Sequence, residues 1–392
     1  RPCWPIDTAY YAEPVGGLDP QFFAYLLDST TLSSHDQSTA IPSLIREVYN
    51  RVRVPLPPTV EQRRIVEKIE ALLSGIANGI ESLETVNLNV AGYRDSIVKA
   101  AVFGDLTADM RRYPGGRSDG KTLAATLIDE ASQRGTKTTA VRQERPRWLP
   151  ENGGWVSVGQ LCEPSRKLAY GVLQPGKDKP DGVPFVRVGD MEGGRVSWAD
   201  LKRIEPDIAE KYPRTKLRGG EVLISLVGTI GRTAVADASL VGGNTARAVG
   251  VIPVSSKLNP YWVEMWLRAE SNRRLLAGQA HEVARKTLNL EDVRRFGVAV
   301  PPRDEQDAII ERAGRDIDVA NTLSAEWQRT RTRADSLRRS VLNAAFTGRL
   351  VPQDPTDEPA SDLLARIRAE RAQAPHNSGR RGRPRKTTRA TA

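Results

Sequence analysis

Cysteine is nearly absent: Cys3 and Cys162 are the only two in 392 residues. Two thiols so far apart support neither a disulfide framework nor a zinc site, and they fit a reducing cytoplasm. Histidine is as sparse, and His35, His281 and His376 stand far apart, so no His-based metal motif is written in local spacing. No apolar run approaches the ~18 residues a membrane helix needs, and no secretory segment opens the chain, so no membrane role is expected. No Gly-x-Gly-x-x-Gly follows a strand-like run to cradle a dinucleotide. What remains, 39% hydrophobic and 27% charged, has the composition of an ordinary globular protein large enough for two or three domains.

The formal net charge is +10, but its placement matters more than its size. From position 371 to the end there are seven basic residues and no acidic one, which leaves about +3 for the preceding 370. A polyanion-binding surface on the body must therefore be a local patch, not a global field.

The chain repeats itself. Pro57-Pro58-x-x-Glu61-Gln62 recurs 244 positions later as Pro301-Pro302-x-x-Glu305-Gln306. The offset then holds without a gap through Ala100-Ala101-x-x-Gly104-x-Leu106 and Ala344-Ala345-x-x-Gly348-x-Leu350, with twelve identities in fifty positions. Upstream, Leu18-Asp19-Pro20 echoes Leu258-Asn259-Pro260. In the first copy Ile65, Ile69, Leu72, Ile76, Ile80, Leu83, Val86, Val90, Tyr93, Ile97 and Ala101 recur at the α-helical period. Ile309, Ala313, Ile317, Ala320, Trp327, Ala334, Leu337, Val341 and Ala345 keep the register in the second. The prolines precede each stripe and a glycine closes it, so each copy predicts one long helix. A helix of ~40 residues spans roughly 60 Å and needs a partner along its stripe, and the equivalent helix supplies one. Between residues 148 and 300 the pattern changes to short strand-like runs, among them 183–188, 221–225 and 233–235. Helices are expected at Pro20–Leu27, Tyr261–Leu276 and Leu290–Arg295.

Residues 54–66, 93–106 and 337–354, with strand-like Phe185–Met191 and Gly220–Ser225, resemble the specificity subunits of Type I restriction–modification systems. The resemblance implies an α/β fold. α/β target-recognition domains alternate with two long helices that pair as an antiparallel coiled-coil rod, in a pseudo-two-fold internal repeat. It also implies a non-catalytic protein that binds a bipartite target in double-stranded DNA and docks methyltransferase subunits, and through them restriction subunits. No cofactor is expected on this chain; S-adenosylmethionine, ATP and magnesium would belong to the partners. Residues 1–54 then form the C-terminal part of a first recognition domain. Residues 55–107 are the first long-helix region, 108–147 a basic linker and 148–300 the second recognition domain. Residues 301–352 are the second long-helix region, and 353–392 a C-terminal region with a disordered basic tail. On this division the front of the first domain is absent, by natural truncation, a mis-assigned start or deliberate trimming. A chain so shortened is expected to read only the half-site of its second domain, weakly and with strong salt dependence. Its N-terminal remnant should be mobile or sticky, with Trp4, Tyr10, Tyr11 and Phe22 poorly covered. Glu61, Gln62, Glu305 and Gln306 are the expected subunit-docking residues.

Candidate DNA contacts in the second domain are Lys167, Tyr170, Arg187, Arg214, Lys216, Arg218, Arg232, Asn244, Arg247, Arg285 and Lys286. Arginine pairs bidentately with guanine and asparagine with adenine, while lysine holds phosphate. Arg187 stands out because it lies between Val186 and Val188, where a charge needs either a partner such as Asp190 or a DNA groove. In the tail, Arg381-Gly382-Arg383-Pro384 matches the core of a minor-groove hook, although a disordered basic tail reads the same way. Asn259-Pro260-Tyr261-Trp262 lacks the second proline of an adenine-methyltransferase signature and is better read as a helix start. Asp207 and Glu210 are too close in sequence for a nuclease pair, and Gly228–Gly231 reads as a turn between strands. The competing functions are a fragment of a fused restriction–methyltransferase enzyme, and a truncated or silent specificity cassette acting as a decoy.

Overall fold

A computed structural model of the chain describes residues 14, 16–30, 52–112, 119–136, 149, 154–282 and 286–373. Trp4, Tyr10, Tyr11, Arg285 and the hook Arg381–Pro384 lie outside these. In chain order the helices before the sheets are α1 (Pro20–Ser29), α2 (Thr59–Val102), the short α3 (Ala108–Arg112) and α4 (Gly120–Gln133). Strands β1 (Gly154–Ser157), β2 (Ala169–Tyr170), β3 (Val183–Val186), β4 (Met191–Glu192), β5 (Arg195–Val196) and β6 (Lys202–Ile204) lead to α5 (Pro206–Glu210). Then come β7 (Val222–Ser225), β8 (Thr233–Val235), β9 (Asn244–Thr245) and β10 (Val249–Ile252), followed by α6 (Pro260–Arg268) and α7 (Glu270–Gly278). The chain continues through β11 (His281–Glu282), β12 (Lys286–Thr287), α8 (Leu290–Arg294) and β13 (Gly297–Val300) to α9 (Arg303–Phe346) and α10 (Ala360–Gln373).

Two compact units result, one from Arg1–Val86 with Ala325–Ala392 and one from Asn87–Ser324. The long helices α2 and α9, each 44 residues, run through both. Each stops at a left-handed glycine, Gly104 (φ 76°) or Gly348 (φ 72°), the conformation that favours glycine at a helix end.

In the first unit α2 and α9 run antiparallel. Ile65, Val66 and Ile69 share a core with Val341, Leu342 and Ala345, and α1 seals it with Phe22 and Leu26. Phe22 meets Phe346 edge to face, ring centroids 5.4 Å apart. It is fully buried, against the expectation of poor cover, because the helix pair supplies the surface a sheet would otherwise give. In the second unit the opposite ends pair. Ile97, Val98 and Ala101 join the core of Ile309 and Ala313, and Arg94 Nη2 donates to Ser324 Oγ at 3.0 Å. Between these ends the stripe is only half covered: Leu72 is 37% and Val86 51% exposed.

The second unit carries the sheets. A four-stranded antiparallel sheet has the order β2-β10-β7-β8, and a three-stranded one, β6-β3-β9, contains the parallel pair β3–β9. β1 pairs with β13 antiparallel and α4 covers them. A Cβ on Gly154 would come within 2.3 Å of the Gly120 carbonyl, so only glycine permits this approach. β13's other edge is closed by indoles of α6: Trp262 Nε1 donates to Ala299 O and Trp266 Nε1 to Gly297 O, both at 2.9 Å. The stretch expected as one helix over Tyr261–Leu276 is two, broken at the extended Ala269 (φ −50°, ψ 133°), which lets Asn272 Nδ2 cap the Trp266 carbonyl.

The duplicated Pro-Pro-x-x-Glu-Gln explains itself structurally. Gln306 Nε2 donates to Pro301 O at 2.8 Å, and its Oε1 accepts from Asn259 N at 2.9 Å. Gln62 repeats this with Pro57 O and Asp19 N, both at 2.8 Å. Asn259 and Asp19 are themselves the N-caps of α6 and α1. Each glutamine therefore ties the start of a long helix to the start of a short one. Of the expected docking residues, Gln62, Gln306 and Glu305 make bonds inside the fold: both glutamines are fully buried, and Glu305 accepts from Thr107 Oγ1 at 2.7 Å. Nearby, Arg312 binds both carboxylate oxygens of Asp109 (2.7 and 3.0 Å) and holds that carboxyl down to about 2.

Two outcomes follow. Gln306→Ala removes both bonds and strands the Asn259 amide, so the tryptophan-reported urea midpoint should fall by the equivalent of about 1–3 kcal/mol. An unchanged midpoint would deny the clamp its role. Asp109 binds its proton more weakly folded than unfolded, so its stabilising contribution is present above the ordinary carboxylate range and lost as pH falls through about 2. In Arg312→Ala its carboxyl carbon should titrate near the ordinary ~3.9.

Candidate nucleic-acid interface

The expected contact residues fall into distinct places within the second unit. Tyr170 lies on β2, which pairs with β10 through Gly250 and packs beside the 213–215 turn that carries Arg214. Its hydroxyl accepts from Leu290 N at 3.2 Å. Arg247 joins the same edge, its backbone N donating to Val172 O at 2.9 Å. Tyr170, Arg214 and Arg247 are thus brought together, all exposed. Lys216 and Arg218 flank a turn held from beneath by a buried ion pair. Arg166 Nη1 donates to Glu221 Oε1 at 2.6 Å and Nη2 to Lys216 O at 3.1 Å, while Glu221 accepts from Arg218 N and Gly219 N. That leaves the Lys216 and Arg218 side chains exposed on a fixed backbone. Lys167 is exposed next to Arg166, and Lys286 is exposed on β12, paired in register with Glu282.

Two candidates have partners within the fold. Asn244 is 1% exposed: its Oδ1 accepts from Thr215 Oγ1 at 2.7 Å and its Nδ2 donates to the Tyr212 carbonyl at 3.3 Å. No group of it is left for adenine; it staples the 212–215 turn instead. Arg187 follows β3 rather than lying inside it, and its guanidinium binds Asp190 (3.1 and 2.8 Å) and the Asp200 carbonyl (2.8 Å). Asp190 answers by accepting from Arg187 N at 2.7 Å. Of the two alternatives for a charge between valines, the carboxylate partner is the one present.

A cleft of about 700 Å³ opens beside Arg232, and Lys99, Arg268, Arg273 and Arg274 line it with Asp95 and Glu270. Arg268 is tied to the buried Glu264 at 3.0 Å, and Arg274 pairs with Glu270. Burial pushes the Glu264 carboxyl up, opposed by Arg268 and by the Thr233 hydroxyl. Gly194 is needed here, since a Cβ on it would reach the Glu264 carboxylate at 2.8 Å. Lys99, Arg232 and Arg273 form no ion pair with any described residue. Gly231, at φ 77° in the turn joining β7 to β8, leaves room for the stem of Arg273. Lys99 and Arg273 escape a reading of the sequence because each lies on a helix, where an isolated cation resembles a solvated face. One further string, Gly115-x-x-x-x-Gly120-Lys121-Thr122, spells a phosphate loop. It leads out of α3 rather than a strand, its residues 115–118 lie outside the described ones, and the Asp119 carboxylate already accepts from Lys121 N and Thr122 Oγ1. No group of three or more potential metal ligands occurs among the described residues, and no described helix is long and apolar enough to cross a membrane.

Residues 155–314 match the family described as the Type I restriction modification DNA specificity domain. The chain is 29% identical over 364 residues to the Type I restriction enzyme EcoBI specificity subunit of Escherichia coli, covering 90% of this chain and 72% of that one. It is 23% identical to the EcoKI specificity subunit of Escherichia coli strain K12, over 87% of this chain and 68% of the other. A chain in a solved structure of a type I R-M system shares the fold at TM-score 0.57 and 18% identity, over 85% of this chain and 72% of that chain. With the paired long helices, the duplicated clamp and the mixed-sheet domain on the page, residues 155–314 carry a Type I restriction modification DNA specificity domain, and the chain is similar over most of its length to Type I restriction enzyme specificity subunits.

Proposed function

We propose that this chain selects the DNA site for a Type I restriction–modification assembly and docks its methyltransferase subunits, and through them the restriction subunits, in the cytoplasm. It performs no chemistry itself; the cofactors of methyl transfer and cleavage belong to the partners. The observation that carries the reading is a specificity-domain match that coincides with the unit bearing the cationic cleft and the exposed Tyr170–Arg214–Arg247 edge. On this reading Lys99, Arg232 and Arg273 hold phosphates. Cations without an ion-pair partner, two of them exposed and Arg232 half-buried, suit that task, because they keep register on the duplex without reading sequence. Tyr170, Arg214, Arg247, Lys216 and Arg218 stand on short, braced turns and present base-reading chemistry: guanidinium forks for guanine, and an aromatic face for apolar contact. Residues 148–300 act as one target-recognition domain, with Lys167, Arg285 and Lys286 at its margins.

The reading is tested by combining the chain with a methyltransferase subunit, S-adenosylmethionine and DNA. Site-specific adenine methylation should require both proteins, and methyl transfer by this chain alone would refute it. For the phosphate contacts, the Arg232→Ala/Arg273→Ala double variant should reduce the slope of log K against log salt by about 2, near 0.9 per phosphate lost. Arg187→Ala should leave the slope unchanged and cost about 1–3 kcal/mol of folding stability, because it removes both guanidinium bonds from the buried Asp190 carboxylate and leaves only the backbone one. A salt slope that falls for Arg187→Ala and holds for the double variant would reverse these assignments.

A further inference from the structure

The duplicated frame treats its two equivalent glutamates differently. Glu61 and Glu305 each stand one position before a clamp glutamine, and both are deeply buried, 6% and 4% exposed. Glu305 Oε1 is doubly engaged. Thr107 Oγ1 donates to its Oε1 at 2.7 Å, Arg111 Nη1 donates to the same oxygen, and Arg111 Nη2 donates to the Gly104 carbonyl. The Arg111 guanidinium therefore bridges a buried carboxylate and the carbonyl that ends a long helix. It also fills the space over Gly104, where an added Cβ would meet Arg111 Nη1 at 2.8 Å.

At the positions 244 residues on, Gly104 is kept as Gly348, but Thr107 is replaced by Val351 and Arg111 by Pro355. Glu61 accepts no hydrogen bond from any described residue. Its nearest cation, Arg64, is committed to both oxygens of Asp357 at 3.1 and 2.5 Å. Burial pushes the Glu61 carboxyl up, and Arg64 opposes this in part. Over Gly348, where Arg111 would lie in the other copy, there is nothing within 4 Å of an added Cβ. Glu61 and Gly348 instead line an open pocket of about 270 Å³, walled by Phe22, Pro57, Ile65 and Phe346. Past α9, two arginines have other occupations: Arg349 Nε donates to Thr347 Oγ1 at 3.0 Å, and Arg366 binds Glu358.

We propose that this pocket receives an arginine side chain from a partner polypeptide, its guanidinium bridging the Glu61 carboxylate and the Gly348 carbonyl as Arg111 bridges Glu305 and Gly104. The chemistry selects arginine over lysine. Two acceptors on different groups suit a planar fork, and the flat faces of Phe22, Phe346 and Pro57 suit its weakly hydrated plane. The Glu61 carboxylate lines the open pocket without a protein donor, and a guanidinium seated there would supply one. The choice of partner rests on the docking function proposed above and deepens it: the partner is the methyltransferase subunit, and Glu61 is its recognition point in the first unit.

The experiment separates the pocket's chemistry from the assembly. In the full chain with labelled methyl groups, N-acetyl-arginine amide should shift the Ile65 and Ala345 signals saturably, and the citrulline analogue should not. Glu61→Gln, which keeps the shape and removes the charge, should abolish the response while leaving the other methyl signals in place. The same variant should weaken binding of the methyltransferase subunit about tenfold or more, the loss of one close charge pair. No response to the arginine probe, an equal response in Glu61→Gln, or equal partner affinity for both proteins would overturn the proposal. A response seen only after residues 374–392 are deleted would overturn it too, giving the pocket to the chain's own tail. Should the wild-type chain bind no methyltransferase subunit while the arginine response persists, the docking function fails and the guanidinium receptor stands.

Discussion

Everything in the duplicated frame depends on fixing the direction in which each long helix leaves its proline pair. A helix start exposes amide donors that need partners, and here a fully buried glutamine bonds both backward and sideways. The backward bond, to Pro57 O or Pro301 O, sets the first turn of the helix. The sideways bond, to the backbone of Asp19 or Asn259, fixes the helix to the cap of α1 or α6. Since α6 closes the edge of β13 with its two indoles, the glutamine connects the long helix to the sheet core by one short chain of hydrogen bonds. A side chain that uses both ends of its amide, donating from Nε2 and accepting at Oε1, inside a dry site has no cheap substitute. The motif therefore recurs intact while the helix surfaces between its copies diverge.

The recognition unit solves a different problem, that of holding short strands and many cations in one small body. It does so by placing acids beneath the turns. Glu221 receives two backbone amides and a buried arginine, Asp190 receives Arg187, and Glu264 receives Thr233 and Arg268. Glu221 and Asp190 each brace a turn, while Glu264 ties β8 to α6. Buried ion pairs of this kind contribute little net stability, because desolvation offsets attraction, but they restrict the conformations a turn can adopt. A surface that must read base edges needs that restriction more than it needs extra stability.

Much of this was legible beforehand. The stripe from Ile65 to Ala101 and its double from Ile309 to Ala345 carry the helical period, prolines and glycines mark their ends, and the helices run where those signals place them. The mixed-sheet unit between them was legible from its alternation of short apolar runs and turns. Ranking of individual polar residues was not. Asn244 and Arg187 looked like readers because sequence shows residue type and local neighbours but not whether a side chain has an internal partner. Thr215, which occupies Asn244, lies 29 positions away. Lys99 and Arg273 were passed over for the complementary reason, that cations unpaired in the fold look like any other helical cation. The break at Ala269 carries no glycine or proline; tertiary packing of the Trp262 and Trp266 indoles against β13 overrides the local helical preference.

The repeat also separates what the fold requires from what is free to change. Positions that hold the frame are duplicated: the glutamine, its proline, the capping Asp19 or Asn259, and the terminating glycine. Positions that differ between the copies are those where one copy closes upon itself and the other does not. Arg111 and Thr107 satisfy Glu305 from within the chain, yet Pro355 and Val351 give Glu61 nothing. The Glu61 carboxylate faces an open pocket with no donor from the described residues, where its counterpart is held by Arg111. Its retention beside an open pocket is what a frame built twice would show if one copy were completed by its own chain and the other by a neighbour. Internal duplication thus supplies its own control, since the filled site specifies the geometry that the open one is shaped to accept.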